Sequence, residues 1–135
     1  MRILNIVQGG NLGGMEKASL NLLKEFKRRG HYVKYLSLNK FGKLTSLLED
    51  SEIDYCDLDY KRILDIKVFK SLIKELRLDY DLVIVTGHNL TTTIALLFSK
   101  IKYKVLSIHF HHFENNKPTK KWKIFYMLSN FVYHH

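Results

Sequence analysis

Apolar and polar positions along the chain alternate between two periods. Residues Arg2 to Val7 form a short, mostly apolar run that stops at a glycine cluster, the pattern of a buried parallel strand. From Gly14 to Arg29, Met15, Ala18, Leu22, Leu23 and Phe26 recur at helical spacing, and Lys17, Lys24, Lys27 and Arg28 take the other side. Gly30 stops that helix. The pattern then predicts a strand over Tyr32–Leu38, a short helix over Leu44–Asp50, a short strand over Ile53–Leu58 and a helix over Ile66–Leu76. Leu82–Thr86 is fully apolar and β-branched, the clearest strand in the chain. A helix over Thr91–Lys100, a fifth strand over Val105–Ile108, a loop over His109–Thr119 and a last helix over Lys121–Tyr133 complete the series.

Strands alternating with helices at these distances imply βαβ crossovers and a parallel sheet covered on both faces. The expected fold class is therefore α/β, a Rossmann-like doubly wound parallel sheet. In such sheets ligands bind beyond the carboxyl ends of the strands. Here those ends are residues 8–14, 37–41, 86–89 and 107–112, and candidate chemistry is sought there.

The loop after the first strand carries four glycines in six residues, Gly9, Gly10, Gly13 and Gly14, followed by Met15 and Glu16. Glycines in that place let backbone approach a ligand and aim N–H groups at it beside the positive end of a helix, which suits a phosphate or a sugar hydroxyl. They also suggest positive φ. The alternative is a tight turn without a ligand, with Glu16 complementing the helix dipole. The dinucleotide fingerprint fails for want of a G-x-G pair and of an acidic residue at the second strand's end, where Ser37, Leu38 and Asn39 stand. The P-loop fails because Met15 occupies the lysine position.

The resemblance becomes specific in the ordered set of short pieces. Met1-Arg-Ile-Leu-Asn-Ile-Val, Gly13-Gly14-Met15-Glu16-Lys17, Leu20-Asn21-Leu22 and Arg29-Gly30-His31-Tyr32-Val33 follow one another. Asp79-Tyr80-Asp81-Leu82-Val83-Ile84 and Val105-Leu106-Ser107-Ile108-His109 come later. Together they resemble the N-terminal half of family-4-type glycosyltransferases of the GT-B fold. Those proteins commonly open with a strand, Gly-Gly-Ala-Glu-Arg, an amphipathic helix and Arg-Gly-His-x-Val. The resemblance implies that residues 1–135 are the acceptor-side domain of a retaining glycosyltransferase. Such an enzyme moves a sugar from a nucleotide-diphosphate sugar to an acceptor hydroxyl of a glycan, a lipid-linked acceptor or a cell-surface polysaccharide. It implies no cofactor beyond that co-substrate, and a C-terminal donor domain that this chain lacks, so that the chain alone is expected to be inactive. His109, after the fifth strand, corresponds to a histidine that contacts the transferred sugar and is the catalytic candidate. Gly13, Gly14, Met15, Glu16, His88 and Asn89 are the substrate-binding candidates. Relatives carry a His-x-His-Gly-like run at the fourth strand's end, where this chain has Ile84-Val85-Thr86-Gly87; His88 substitutes only after a local shift. A histidine capping a strand end structurally is the other reading of His109.

Composition narrows the partners. The chain has 46% apolar and 26% charged residues and a single proline, so neither disorder nor a Pro-rich linker is indicated. A single cysteine, Cys56, can form no internal disulfide, which points to a cytoplasmic compartment. No signal-peptide pattern or membrane-spanning run is present in these residues. The formal net charge of +9 favours anionic partners. Lys117, Lys120, Lys121 and Lys123 beside Trp122, Phe125 and Tyr126 allow peripheral association with the inner face of an anionic membrane, the alternative being a plain packing helix with a solvated start. No helix-turn-helix, zinc-finger, RRM or KH pattern supports nucleic acid as the partner. His111, His112, His134 and His135 raise a metal site, but their number and spacing fall short of a ligand set, and no metal is expected. A non-catalytic, basic Rossmann-like domain binding a membrane or a nucleotide ligand is the competing function.

Overall fold

A computed structural model describes residues 1–9, 11, 13–60, 65–87, 89–107 and 120–134. The elements run β1 (Arg2–Val7), α1 (Gly14–Arg28), β2 (Tyr32–Ser37), α2 (Leu44–Glu49), β3 (Asp54–Asp57), α3 (Ile66–Leu76), β4 (Leu82–Thr86), α4 (Leu90–Leu97), β5 (Tyr103–Ser107) and α5 (Lys120–His134). The sheet has five parallel strands in the order β3-β2-β1-β4-β5, the expected doubly wound α/β fold. Most boundaries fall within one residue of the sequence reading, and two differ by more. β5 begins two residues earlier, at Tyr103, because Tyr103 and Lys104 pair with Leu82 and Val83 of β4. α4 ends at Leu97 rather than Lys100, since the N–H groups of Phe98 and Ser99 turn back onto the Ala95 and Leu96 carbonyls and tighten the last turn.

Alternation along the strands splits the core into two layers. Leu4, Ile6, Leu36, Leu38, Val83 and Val85 pack against Leu72 and Leu76 of α3, Ala95 and Leu96 of α4, and Val132 of α5. On the opposite face Ile3, Val7, Val33, Tyr35 and Ile84 meet Leu20 and Leu23 of α1 and Leu44 and Leu48 of α2. Each such side chain, fully buried, contributes about 1.5–3 kcal/mol. α3 is set at its start by Asp65, whose carboxylate accepts from the N–H groups of Lys67 and Val68, worth about 1 kcal/mol as a cap. Near the amino ends of the strands, the Arg2 guanidinium stacks 4.3 Å above the Tyr32 ring, while the Arg2 N–H donates to Asp81 at 2.7 Å.

One polar cluster enters the α3 layer. Lys34 of β2 lies 2.8 Å from Glu75 of α3, with side-chain exposures of 18% and 14%, and Tyr80 donates to the same Glu75 oxygen at 2.6 Å. Burial, reinforced by Glu75, pushes the Tyr80 hydroxyl pKa upward. Removing Glu75 strands a largely enclosed ammonium and a phenol, whereas Glu75→Gln keeps an acceptor for both. Glu75→Ala is expected to cost about 2 kcal/mol and Glu75→Gln clearly less, as read by urea unfolding. A loss for Glu75→Gln as large as that for Glu75→Ala would show that the charge of the carboxylate, and not the acceptor it offers, carries the stabilisation.

Candidate functional site

The strand order reverses between β1 and β4, so the loops that follow these two strands sit side by side at the carboxyl edge. The glycine loop leads from β1 to α1 on one side of this divide, and residues 87–89 lead from β4 to α4 on the other. These are the two places at which sequence reading put most of its candidates.

Gly13 and Gly14 do not adopt the left-handed backbone expected of them. Gly13 is extended, with φ −101° and ψ 177°, and Gly14 is already helical; neither has positive φ. The conformational argument for those two glycines therefore does not hold. The Glu16 side chain folds back toward Gly9 and Gly13. A Cβ on Gly9 would come within 2.9 Å of Glu16 Oε1, and a Cβ on Gly13 would collide with Glu16 Oε2. The Glu16 carboxylate thus lies against the two glycines at the start of α1, where the helix dipole favours negative charge. Gly13 donates its N–H to the Asn11 carbonyl at 3.0 Å, so that donor is engaged within the loop. Gly14 is exposed, with nothing within 4 Å of its Cβ position, and Met15 and Glu16 are half-buried beside it. A ligand approaching the loop meets an open backbone at Gly14 and an anionic acceptor at Glu16.

Below the loop lies a polar layer that sequence reading missed. Asn5, Ser37 and Thr86 alternate with Ile3, Val7, Tyr35 and Ile84 and so share the α1 face of the sheet. Val7 is in register with both Ser37 and Thr86. Thr86 donates to Asn5 Oδ1 at 3.2 Å, while Asn5 Nδ2 and Ser37 Oγ are enclosed with no hydrogen-bond partner among the described residues. Unpaired polar atoms are uncommon in protein interiors; two of the six found among the described residues lie in this layer, and the others are in α4 and α5. Tyr35 links this layer to α1: its hydroxyl lies 3.1 Å from Ser19 Oγ, which in turn donates to the Glu16 carbonyl. Burial pushes the Tyr35 hydroxyl pKa up to about 12, with the neighbouring Glu16 charge adding to the rise. A lone Asn in an otherwise apolar central strand was the available signal.

Across the divide, Gly87 carries φ +87°, a left-handed conformation that the chain needs to turn from β4, and its N–H donates to the Ser107 carbonyl at 2.8 Å. Asn89 is buried and caps α4 by accepting from the Thr92 N–H at 3.1 Å, so one of its polar atoms has a structural task. His109 and His88 lie outside the described residues, as do His111, His112 and His135. Among the described residues no three His, Cys, Asp or Glu side chains are grouped to hold a metal ion. A groove of about 540 Å³ lined by Arg77, Asp79, Tyr80, Phe98 and Lys100 lies at the opposite, amino end of the strands.

A parallel sheet in this order, flanked by α1 and α2 on one face and α3 to α5 on the other, defines a Rossmann-like domain of the kind found in GT-B proteins. No protein-family model matches the chain, and no curated protein matches its sequence. Solved structures that share the fold include two UDP-N-acetylglucosamine 2-epimerases. The UDP-GlcNAc 2-epimerase of Neisseria meningitidis, bound to UDP-GlcNAc, superposes with a TM-score of 0.63 at 17% identity over 98% of this chain and 39% of its own. A second UDP-N-acetylglucosamine 2-epimerase gives 0.57 at 14% identity over 98% of this chain and 40% of its own. The chain thus spans about two fifths of the length of these structures.

The two loops make opposite demands on a side chain. Gly87→Ala is expected to destabilise by roughly 1–2 kcal/mol because of its left-handed φ. Gly14→Ala, with clear space and a helical backbone, is expected to be neutral or slightly stabilising. Thermal unfolding of both variants checks this; a Gly14→Ala loss as large as that of Gly87→Ala would contradict the assignment of open space at Gly14.

Proposed function

We propose that the chain is the acceptor-side half of a retaining, family-4-type glycosyltransferase, one that transfers sugar from a nucleoside-diphosphate donor to a hydroxyl of a glycan or lipid-linked acceptor. The observation that carries this reading is the Glu16 carboxylate lying over Gly9 and Gly13 beside the exposed Gly14. A sugar hydroxyl donates to a carboxylate and can accept from backbone as well. A phosphate brought to the same place would meet like charge, so this loop suits acceptor hydroxyls and leaves the donor diphosphate mainly to a second domain. The likeness to a protein bound to UDP-GlcNAc supports a part in nucleotide-sugar chemistry. His109, by its place after β5 in the sequence, is the group proposed to contact the transferred sugar.

A second reading follows from the same likeness: isomerisation of a nucleotide sugar without an acceptor. Product analysis separates the two. When a protein carrying this domain together with a donor domain is incubated with nucleotide sugars and candidate acceptors, transfer releases nucleoside diphosphate and leaves the sugar on an acceptor hydroxyl. Isomerisation returns a sugar of altered configuration whether or not an acceptor is added. Acceptor-independent change of configuration would sink the transferase reading.

In that two-domain enzyme Glu16→Ala is expected to raise KM for the acceptor roughly tenfold or more while leaving KM for the donor within about twofold, a pattern for loss of one charge-assisted hydrogen bond. An unchanged acceptor KM would remove Glu16 from the site. His109→Ala is expected to lower kcat by roughly 100-fold, the scale of one well-placed polar contact in the transition state. Its melting temperature should stay near that of the parent. A lowered melting temperature with near-normal turnover would make His109 a structural residue instead.

A further inference from the structure

A groove runs along α3 and around its end, on the side of the molecule away from the glycine loop. It consists of two adjoining cavities. One, of about 360 Å³, lies along α3 between Phe69 and Arg77; the other, of about 540 Å³, is the groove at the amino end of the strands. Arg77 lines both. Phe69 in the first cavity and Phe98 in the second form a T-shaped pair with ring centroids 6.4 Å apart, so an aromatic ridge separates the two holes. Leu76, Tyr80 and Ile101 are buried at the base of the larger hole, while Leu78 and Phe98 at its edge are 46% and 66% exposed. Charge is one-sided. Lys70, Lys74 and Arg77 follow one another at four and three residues and so form one row along α3, with Lys100 facing them across the larger hole. Among the described residues none of these four cations is ion-paired, and Asp79 is the one acid lining either hole.

We propose that this groove docks an acidic amphipathic helix of a partner protein, with two of its apolar side chains set into the two holes and its carboxylates against the lysine row. The shape and the charge together choose the occupant. A helix carries apolar side chains one or two turns apart on one face, which suits a pair of holes divided by a ridge. Its flanking Asp and Glu then meet Lys70, Lys74, Arg77 and Lys100, and this complementarity gives orientation as well as attraction. A second copy of the same face would bring four cations against four. A nucleic-acid backbone would neutralise the cations and leave the holes empty. No helix among the described residues is long and apolar enough to cross a membrane, and a flat lipid surface would meet the edges of the groove without filling it. This inference is independent of the sugar chemistry and stands or falls without it.

Fluorescence anisotropy with a labelled peptide tests it. The probe is a helix-forming peptide of about 14 residues with Leu on one face and Glu on the other. Binding to the chain is expected, and a peptide with Ser in place of Leu should bind at least about tenfold more weakly. The double substitution Lys70→Glu with Lys74→Glu should weaken binding of the Leu/Glu peptide roughly tenfold or more. Lys24→Glu with Lys43→Glu makes the same change of net charge on exposed positions outside the groove and should leave it within about threefold. Phe98→Ser, which removes half of the aromatic ridge, should weaken it about tenfold. Circular dichroism confirms that each variant is folded; should Phe98→Ser unfold, the two charge-reversed pairs still decide. No binding, equal binding of the Ser peptide, or parent-like binding by folded Lys70→Glu/Lys74→Glu would overturn the proposal. So would equal losses in the two charge-reversed pairs, which would make overall charge rather than the groove the cause.

Discussion

β1 is enclosed on four sides, and the rest of the molecule is arranged around that enclosure. It pairs with β2 along one edge and β4 along the other, while α1 packs over one face and the α3–α4 layer over the other. Five of its six residues are buried. Such a strand must be apolar at successive positions, and Ile3, Leu4, Ile6 and Val7 meet that demand. The central place of β1 also dictates where function can sit. The chain leaves β1 toward β2 and β3, then returns to β4 on the opposite side, so two loops diverge at one point of the carboxyl edge. The glycine loop and the turn at Gly87 are neighbours for this reason, although more than seventy residues of sequence separate them.

Much of this was legible in the sequence, because it depends on periodicity. The apolar runs at Arg2–Val7 and Leu82–Thr86 and the helical spacing of Met15 to Phe26 identify elements without ambiguity. The errors arose where period and packing part company. β5 is half-exposed along its length, so Tyr103 and Lys104 gave no apolar signal for the strand's start. Leu97 and Phe98 prolong the apolar pattern of α4 past its actual end, where only the return of two N–H groups marks the stop. The candidate site was legible in location and not in workings. The carboxyl-edge rule led to the glycine loop. No sequence rule, however, says that a carboxylate three residues into a helix will fold back over two glycines, because that is a choice of side-chain rotamer. Asn5 and Ser37 were overlooked because polar residues within a strand carry no functional mark until their burial is known.

The Glu16 arrangement alters what a glycine-rich loop signifies. Glycine there is usually read as clearance for a ligand's phosphate. In this chain the protein's own Glu16 carboxylate lies in that clearance at the helix terminus, and on the proposed reading it turns the site toward hydrogen-bond donors. A loop of the same composition with a neutral residue at position 16 would present the unmodified positive end of α1. On the proposed reading one side chain separates two recognition chemistries that the glycines alone do not distinguish.

Cys56 sits in β3, the edge strand, opposite Leu36 and within the electrostatic reach of Lys34. Its half-buried thiol is raised above its ordinary pKa by burial, against the lowering pull of Lys34. At neutral pH such a thiol is overwhelmingly protonated and a slow nucleophile. Opening of β3 from β2 would bare the thiol fully, so faster labelling of Cys56 would report local opening of the sheet's outer edge. A modification followed by mass would time that opening separately from global unfolding, with no reporter engineered into the chain.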